Sequence, residues 1–274
     1  MEQKPVASEQ ISPRRFRLTV VVFAVSLVII LLFVAFPAQA PLDKADRVGY
    51  AICHRIPERS FYVNGRPLPL CARCTGTFLG AMLGLAAMLL LRRSRASHLP
   101  SVAILGVLVT FVGLWAFDGL NSYMTLFPGA PHLYEPQNWL RMTTGLLNGL
   151  ALIFFVFPIF NFTLWREPTQ ERAIKNGWEL VALLPVVALL VLAAQAGVDL
   201  VLYPLAIISS LGVVVLLAII NSMIAAVVLG REGYALSWSQ AAVPLVVGTA
   251  MALVEITAMV LLRDYLTAAV GLPF

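Results

Sequence analysis

An all-α, polytopic transmembrane bundle of about seven spans follows from three features of the sequence. The 274 residues are 60% hydrophobic and only 12% charged, against roughly 25% charged in soluble domains. Mean hydropathy is +0.88. The apolar residues fall in long uncharged runs, each close to the roughly 20 residues that cross a bilayer. Such a chain cannot dress a water-facing surface, so soluble enzymes, nucleic-acid modules and disordered chains are excluded. The net charge of +5 then reads as topology and contact with membrane lipids rather than as a nucleic-acid surface.

Taken in order, residues 1–17 form a basic tail and 18–37 the first apolar run. Residues 38–74 are a polar loop. Runs at 75–91, about 99–117 and 142–165 make spans two to four within 75–165, and runs at 180–198, 202–229 and about 240–262 make spans five to seven within 166–274. Lys4, Arg14, Arg15 and Arg17 precede the first run, Arg92, Arg93 and Arg95 follow the second, Arg166, Arg172 and Lys175 follow the fourth, and Arg231 follows the sixth. The positive-inside rule makes all of these cytoplasmic, giving a multi-pass protein of the cell membrane with its N-terminus inside and the 38–74 loop extracytoplasmic. The first run also has a signal-like start and ends in Pro37-Ala38-Gln39-Ala40; its length and the spans after it favour a retained helix.

The loop is the anomaly. Residues 43–73 hold nine of the 33 charged residues, six of them basic, on the side where basic residues are least expected. It reads Cys53-His54-Arg55-Ile56-Pro57-Glu58-Arg59-Ser60-Phe61, then Tyr62-Val63-Asn64-Gly65, then Pro69-Leu70-Cys71-Ala72-Arg73-Cys74-Thr75-Gly76. Phe61-Tyr62-Val63 followed by Asn-Gly predicts a hairpin, with Pro67 and Pro69 limiting the returning strand. Asp118-Gly119 and Asn138-x-x-Arg141-x-x-Thr144-Gly145 follow at a distance. These two signatures together resemble the polytopic membrane proteins grouped as domain-of-unknown-function family 2085, over roughly residues 50–150. The resemblance implies a membrane fold and brings no activity with it.

The chemistry therefore rests on residues. Cys53, Cys71 and Cys74, with His54, have the look of a zinc knuckle, ligands flanking a hairpin with the last pair in C-x-x-C spacing. Adjacent Cys53 and His54 do not easily share one ion, so His132 or a water would complete the shell. A redox reading makes Cys71 and Cys74 a thiol pair at a helix start with Cys53 resolving, and a third makes the cysteines structural. Arg55, Arg59, Arg66, Arg73 and Arg141 offer guanidinium forks to an anionic lipid or lipid-linked ligand, or pair with Asp43, Asp46, Glu58 and Asp118.

Ionisable groups inside spans are functional candidates. Asp118 and Glu255 are the acid or base candidates, both expected toward the outer side, and Asp118 is expected to pair with Arg141 across one helix hairpin. Asn148 and Asn221 are expected to make interhelical hydrogen bonds. Gly76, Gly80, Gly84, Gly145 and Gly149 form G-x-x-x-G steps that let helices approach closely. The common catalytic signatures are absent, and a transporter or scaffold with structural cysteines stays open beside the metal and redox readings.

Overall fold

The computed structural model describes residues 13–35, 40–127 and 129–271; most of the basic tail (1–12) and most of the small-x-small stretch (36–39) lie outside the described residues. Among the described residues, seven helical segments are long and apolar enough to cross a membrane, as the hydropathy requires. They are α1 (Pro13–Ala35), α3 (Ala72–Leu90), α4 (Val102–Met124), α5 (Asn138–Leu164), the pair α6 (Gly177–Val181) and α7 (Leu184–Gln195), α8 (Asp199–Val228) and α9 (Trp238–Val270). The fifth segment breaks at 182–183, where Pro185 at the start of α7 lacks the N–H an unbroken helix would need.

At the centre is α5, with 17 of its 27 residues buried. It packs most intimately on α3, and the cause is the glycine rows. A Cβ at Gly76 would overlap the Met142 carbonyl, one at Gly80 that of Leu146, one at Gly145 that of Arg73, and one at Gly149 that of Thr77. Backbone thus meets backbone in both directions, which fixes the register of α3 against α5. By contrast α1 stands out from the bundle and leans on α9.

Both ends of the bundle carry polar structure that no run of apolar residues announces. At one end the loop begins with an amphipathic helix, α2 (Pro41–Ile52), started by its proline and acidic in its first turn. A 3-10 turn (Pro57–Arg59) follows, and then the expected hairpin. In it β1 (Tyr62–Val63) pairs antiparallel with β2 (Arg66–Pro67), around Asn64 and Gly65 with φ of 50° and 74°, the left-handed pair that Asn-Gly favours. The Asn64 N–H reaches Asp199 Oδ1 at 2.9 Å, tying the hairpin to the start of α8.

At the opposite end β3 (Ala96–His98) pairs parallel with β4 (Thr169–Arg172). Arg93 grips Glu179 with two bonds of 2.6 and 2.7 Å, and the Arg95 guanidinium stacks 4.0 Å over the Trp165 ring. Interhelical polar contacts include Asn221 Nδ2 to Glu255 Oε2 at 2.9 Å, as expected of Asn221. That bond turns Glu255 toward α8.

Candidate functional site

The thiols meet because three elements end at one point. Cys53 caps the C-terminus of α2, Cys71 caps the N-terminus of α3, and Cys74 lies in the first turn of α3, one turn on from Cys71. Close approach of α2 to the segment before α3 depends on Gly49, where a Cβ would overlap the Pro69 carbonyl. Arg263 of α9 closes the arrangement from the side: it bonds the Cys53 carbonyl at 2.8 Å and that of Tyr50, with its guanidinium 4.5 Å over the Tyr50 ring. Carbonyls at the end of α2 have no partner within the helix, and a guanidinium satisfies them.

The three Sγ atoms lie within 4.8 Å of one another, and all three cysteines are free. Thiolates about 2.3 Å from a tetrahedral ion stand about 3.8 Å apart, so the trio needs only small adjustments to close on one. Cys53 is buried and its sulfur is surrounded by donors. The thiols of Cys71 and Cys74 and the backbone N–H groups of Cys71, at 3.3 Å, and Arg55 hold its pKa well below the ordinary thiol value. The unusual φ of 51° at Arg55 belongs to this turn. Cys71 shifts upward, chiefly because its thiol hydrogen-bonds to the Cys53 sulfur, with burial and the Cys53 charge adding to the rise. Backbone N–H groups aimed at a sulfur are the surroundings that favour a metal-binding thiolate.

Beside the thiols, three guanidiniums converge on one residue that sequence reasoning missed. Ser122, wholly buried near the end of α4, takes Arg59 on its carbonyl at 2.9 Å, and Arg73 and Arg141 on its hydroxyl at 3.0 and 3.3 Å. Asp118 is the carboxylate of this group. Contrary to the expected Asp118–Arg141 pair, it bonds Arg73 through Nε at 3.1 Å and through the guanidinium end, accepts the Tyr134 hydroxyl at 2.8 Å, and takes Thr144 at 3.4 Å. Arg73 wins because it enters from the first turn of α3, beside the end of α4. Arg141 turns to Asn138 at 2.8 Å and to Ser122. Arg59 and Arg141 thus have only neutral hydrogen-bond partners among the described residues, and Arg141 is just 6% exposed. Burial, then the Arg73 charge, pushes the Arg59 pKa down, while the charge of Cys71 opposes the fall. The thiol and guanidinium clusters therefore share one electrostatic neighbourhood.

Other candidates stand apart. His54 is exposed and outside the group of sulfurs, and His132 bonds Glu135 at 2.9 Å. Arg55 pairs with Asp46 at 2.9 Å, and Arg66 with Asp43 at 2.8 Å and with Asp46. Glu255 faces Asn221 rather than the thiols. The residues unannounced by sequence (Gly49, Ser122, Tyr134 and Arg263) lie in helices or in the polar segment before α5, where no spacing rule marks them.

Residues 53–155 match the family described as "Predicted membrane protein (DUF2085)". An uncharacterized protein of Methanocaldococcus jannaschii is 29% identical over 109 residues, which are 40% of this chain and 64% of that protein. An uncharacterized protein of Methanothermobacter thermautotrophicus is 36% identical over 101 residues, 37% of this chain and 80% of that protein. The match thus spans a little under two thirds of the first relative's length. No solved structure matches the chain. The matched region runs from Cys53 through most of α5 and contains the three thiols, Ser122, Asp118 and the arginines around them.

Proposed function

The chain belongs to the DUF2085 family of predicted membrane proteins, and on that premise we propose that it holds a zinc-like ion at its extracytoplasmic face, beside an arginine-walled site for an anionic ligand. The carrying observation is the trio of sulfurs within 4.8 Å, with the Cys53 thiol held below its ordinary pKa chiefly by the Cys71 and Cys74 thiols and then by backbone N–H groups. Cys53, Cys71 and Cys74 are the ligands in this reading. Three protein ligands leave a fourth position for water or substrate, the pattern of reactive rather than purely structural zinc. A bound ion would supply a Lewis acid.

Arg59 and Arg141 supply the rest. A guanidinium drawn out of water without a carboxylate is unfavourable unless an anion meets it, and a buried Arg141 with a half-buried Arg59 beside the thiols favours the phosphate or carboxylate of a lipid or lipid-linked molecule. Asp118 anchors Arg73, and Arg55 anchors α2 through Asp46, so both frame the site. The basic residues gathered at the opposite end, Arg92, Arg93, Arg95, Arg166, Arg172 and Arg231, support an extracytoplasmic cysteine end.

Cobalt substitution tests both halves. The expected result is a thiolate–cobalt spectrum that inorganic phosphate perturbs, a perturbation that Arg59→Gln blunts while leaving the cobalt spectrum itself intact. No thiolate–cobalt spectrum, or an identical response in the variant, contradicts the proposal. A redox reading has one observation in its favour, the C-x-x-C pair at the start of α3, where a helix N-terminus favours thiolates. Differential alkylation of cells would then find Cys71 and Cys74 joined in a reversible disulfide, and the metal reading predicts all three thiols reduced.

A further inference from the structure

A second site lies on the other side of the thiol cluster. Between α1 and α9 a cavity of about 540 Å³ runs beneath α2, within the roughly 300–1,000 Å³ of small-molecule pockets. Its walls are apolar, with Leu32 and Phe33 from α1 facing Val254, Ile256 and Val260 from α9, and its polar lining includes two cations, Lys44 and Arg47 of α2. Phe33, Ile256 and Val260 also pack in the apolar cluster that holds Cys53, Cys71 and Cys74. The groove and the thiols therefore share a wall.

Like Arg59 and Arg141, the two cations have no carboxylate partner among the described residues. Arg55 and Arg66 are neutralised by Asp43 and Asp46, and Arg73 by Asp118. Lys44 bonds only a backbone carbonyl, that of Val34, and Arg47 has no hydrogen-bond or ion-pair partner among the described residues. Two cations unmatched by carboxylate, on an amphipathic helix over an apolar slot, complement a molecule with a negative head and a hydrocarbon tail. From Leu253 to Leu261 the wall is about 12 Å deep at helical rise, which gives a tail length to lie against.

We infer that this groove is a selective binding site for an anionic phospholipid, its phosphate on Arg47 and Lys44 and one acyl chain between α1 and α9. The inference is independent of the metal and of the Arg59–Arg141 site. At about 1 kcal/mol per basic residue near a membrane surface, preference over a zwitterionic lipid is on the order of tenfold or more.

The full chain is reconstituted in phosphatidylcholine vesicles carrying a trace of photoreactive-acyl phosphatidylglycerol or, separately, the matching phosphatidylcholine probe. Cross-linked peptides are then located by mass spectrometry. Strong phosphatidylglycerol labelling of 29–33 and 253–261 is expected, falling to the phosphatidylcholine level in Arg47→Gln and in Lys44→Gln/Arg47→Gln. Ala258→Trp, at an exposed wall position, fills the slot and abolishes labelling by either probe. Equal labelling by both probes, or labelling unchanged in Arg47→Gln, identifies ordinary boundary lipid and overturns the site. Metal content of the same samples reports separately on the thiols and is expected to be unchanged in every variant.

Discussion

Ser122 has one hydroxyl and one carbonyl, and three guanidiniums use them. The single carboxylate among them, Asp118, is 1% exposed. Removing one partner of a buried pair leaves the other charge uncompensated and costs about 3–5 kcal/mol, whereas replacing both with apolar residues of similar size is far milder. Asp118→Asn is accordingly expected to lower thermal stability more than Arg73→Met/Asp118→Leu, measured by unfolding in detergent; the reverse order would show that the pair carries no such strain. Tyr134 offers a pH test of the same network. Burial, then its bond to Asp118, raises the phenol to about 12 from 10.0. The folded state therefore holds that proton more tightly than the unfolded one. Its stabilisation is complete below pH 10 and lost as pH climbs through about 12. Tyr134→Phe should remove that alkaline loss, at a cost of about 1 kcal/mol at neutral pH, as read from unfolding across alkaline pH. The thiol cluster was legible because C-x-x-C is a local signal and Cys53 lies 18 residues from Cys71. Arg263, 210 residues from the Cys53 carbonyl it bonds, and Ser122, one serine in an apolar helix, carry no pattern that spacing could reveal.

Among the helices, α3 and α5 set the geometry of everything at the cysteine end. Gly145 faces the Arg73 carbonyl, one residue before Cys74, so a side chain there pushes the start of α3 away from its partners. Gly145→Val is expected to cost about 1–3 kcal/mol by overpacking and to weaken metal retention in the same preparation. Gly113→Ala, on α4 with open space around it, is the contrast: it is expected to leave metal retention unchanged and stability equal or slightly higher. If both variants behave alike, the close approach is not what holds the site. The glycine rows and the hairpin could be read from sequence because small-residue steps and Asn-Gly act locally. The helix α2 could not, since 12 mixed-polarity residues with a glycine near their end resemble a loop. Nor could β3 and β4, short polar strands far apart in the chain, paired only once α5 has brought them together.

The whole molecule is asymmetric. One end is closed by α2, the hairpin and the thiols, and the other by the paired strands and the Arg93–Glu179 lock. Glu58 and Glu167 are exposed, one at each end, which makes the orientation measurable. Glu58→Cys should react with a membrane-impermeant maleimide in intact cells, and Glu167→Cys only after permeabilisation; the opposite pattern would invert the topology and make the cysteine end cytoplasmic. Wherever that end faces, the three sulfurs come from the end of one helix and the start of another, held by Gly49 and Arg263, so ion binding depends on the assembled bundle. Elemental analysis of the purified full-length protein tests this most directly. One zinc or similar divalent ion per chain is expected, lost in Cys71→Ser with the helical content retained and released on acidification as the thiolates protonate. A wild-type protein free of bound metal, or an unchanged metal content in Cys71→Ser, would contradict it.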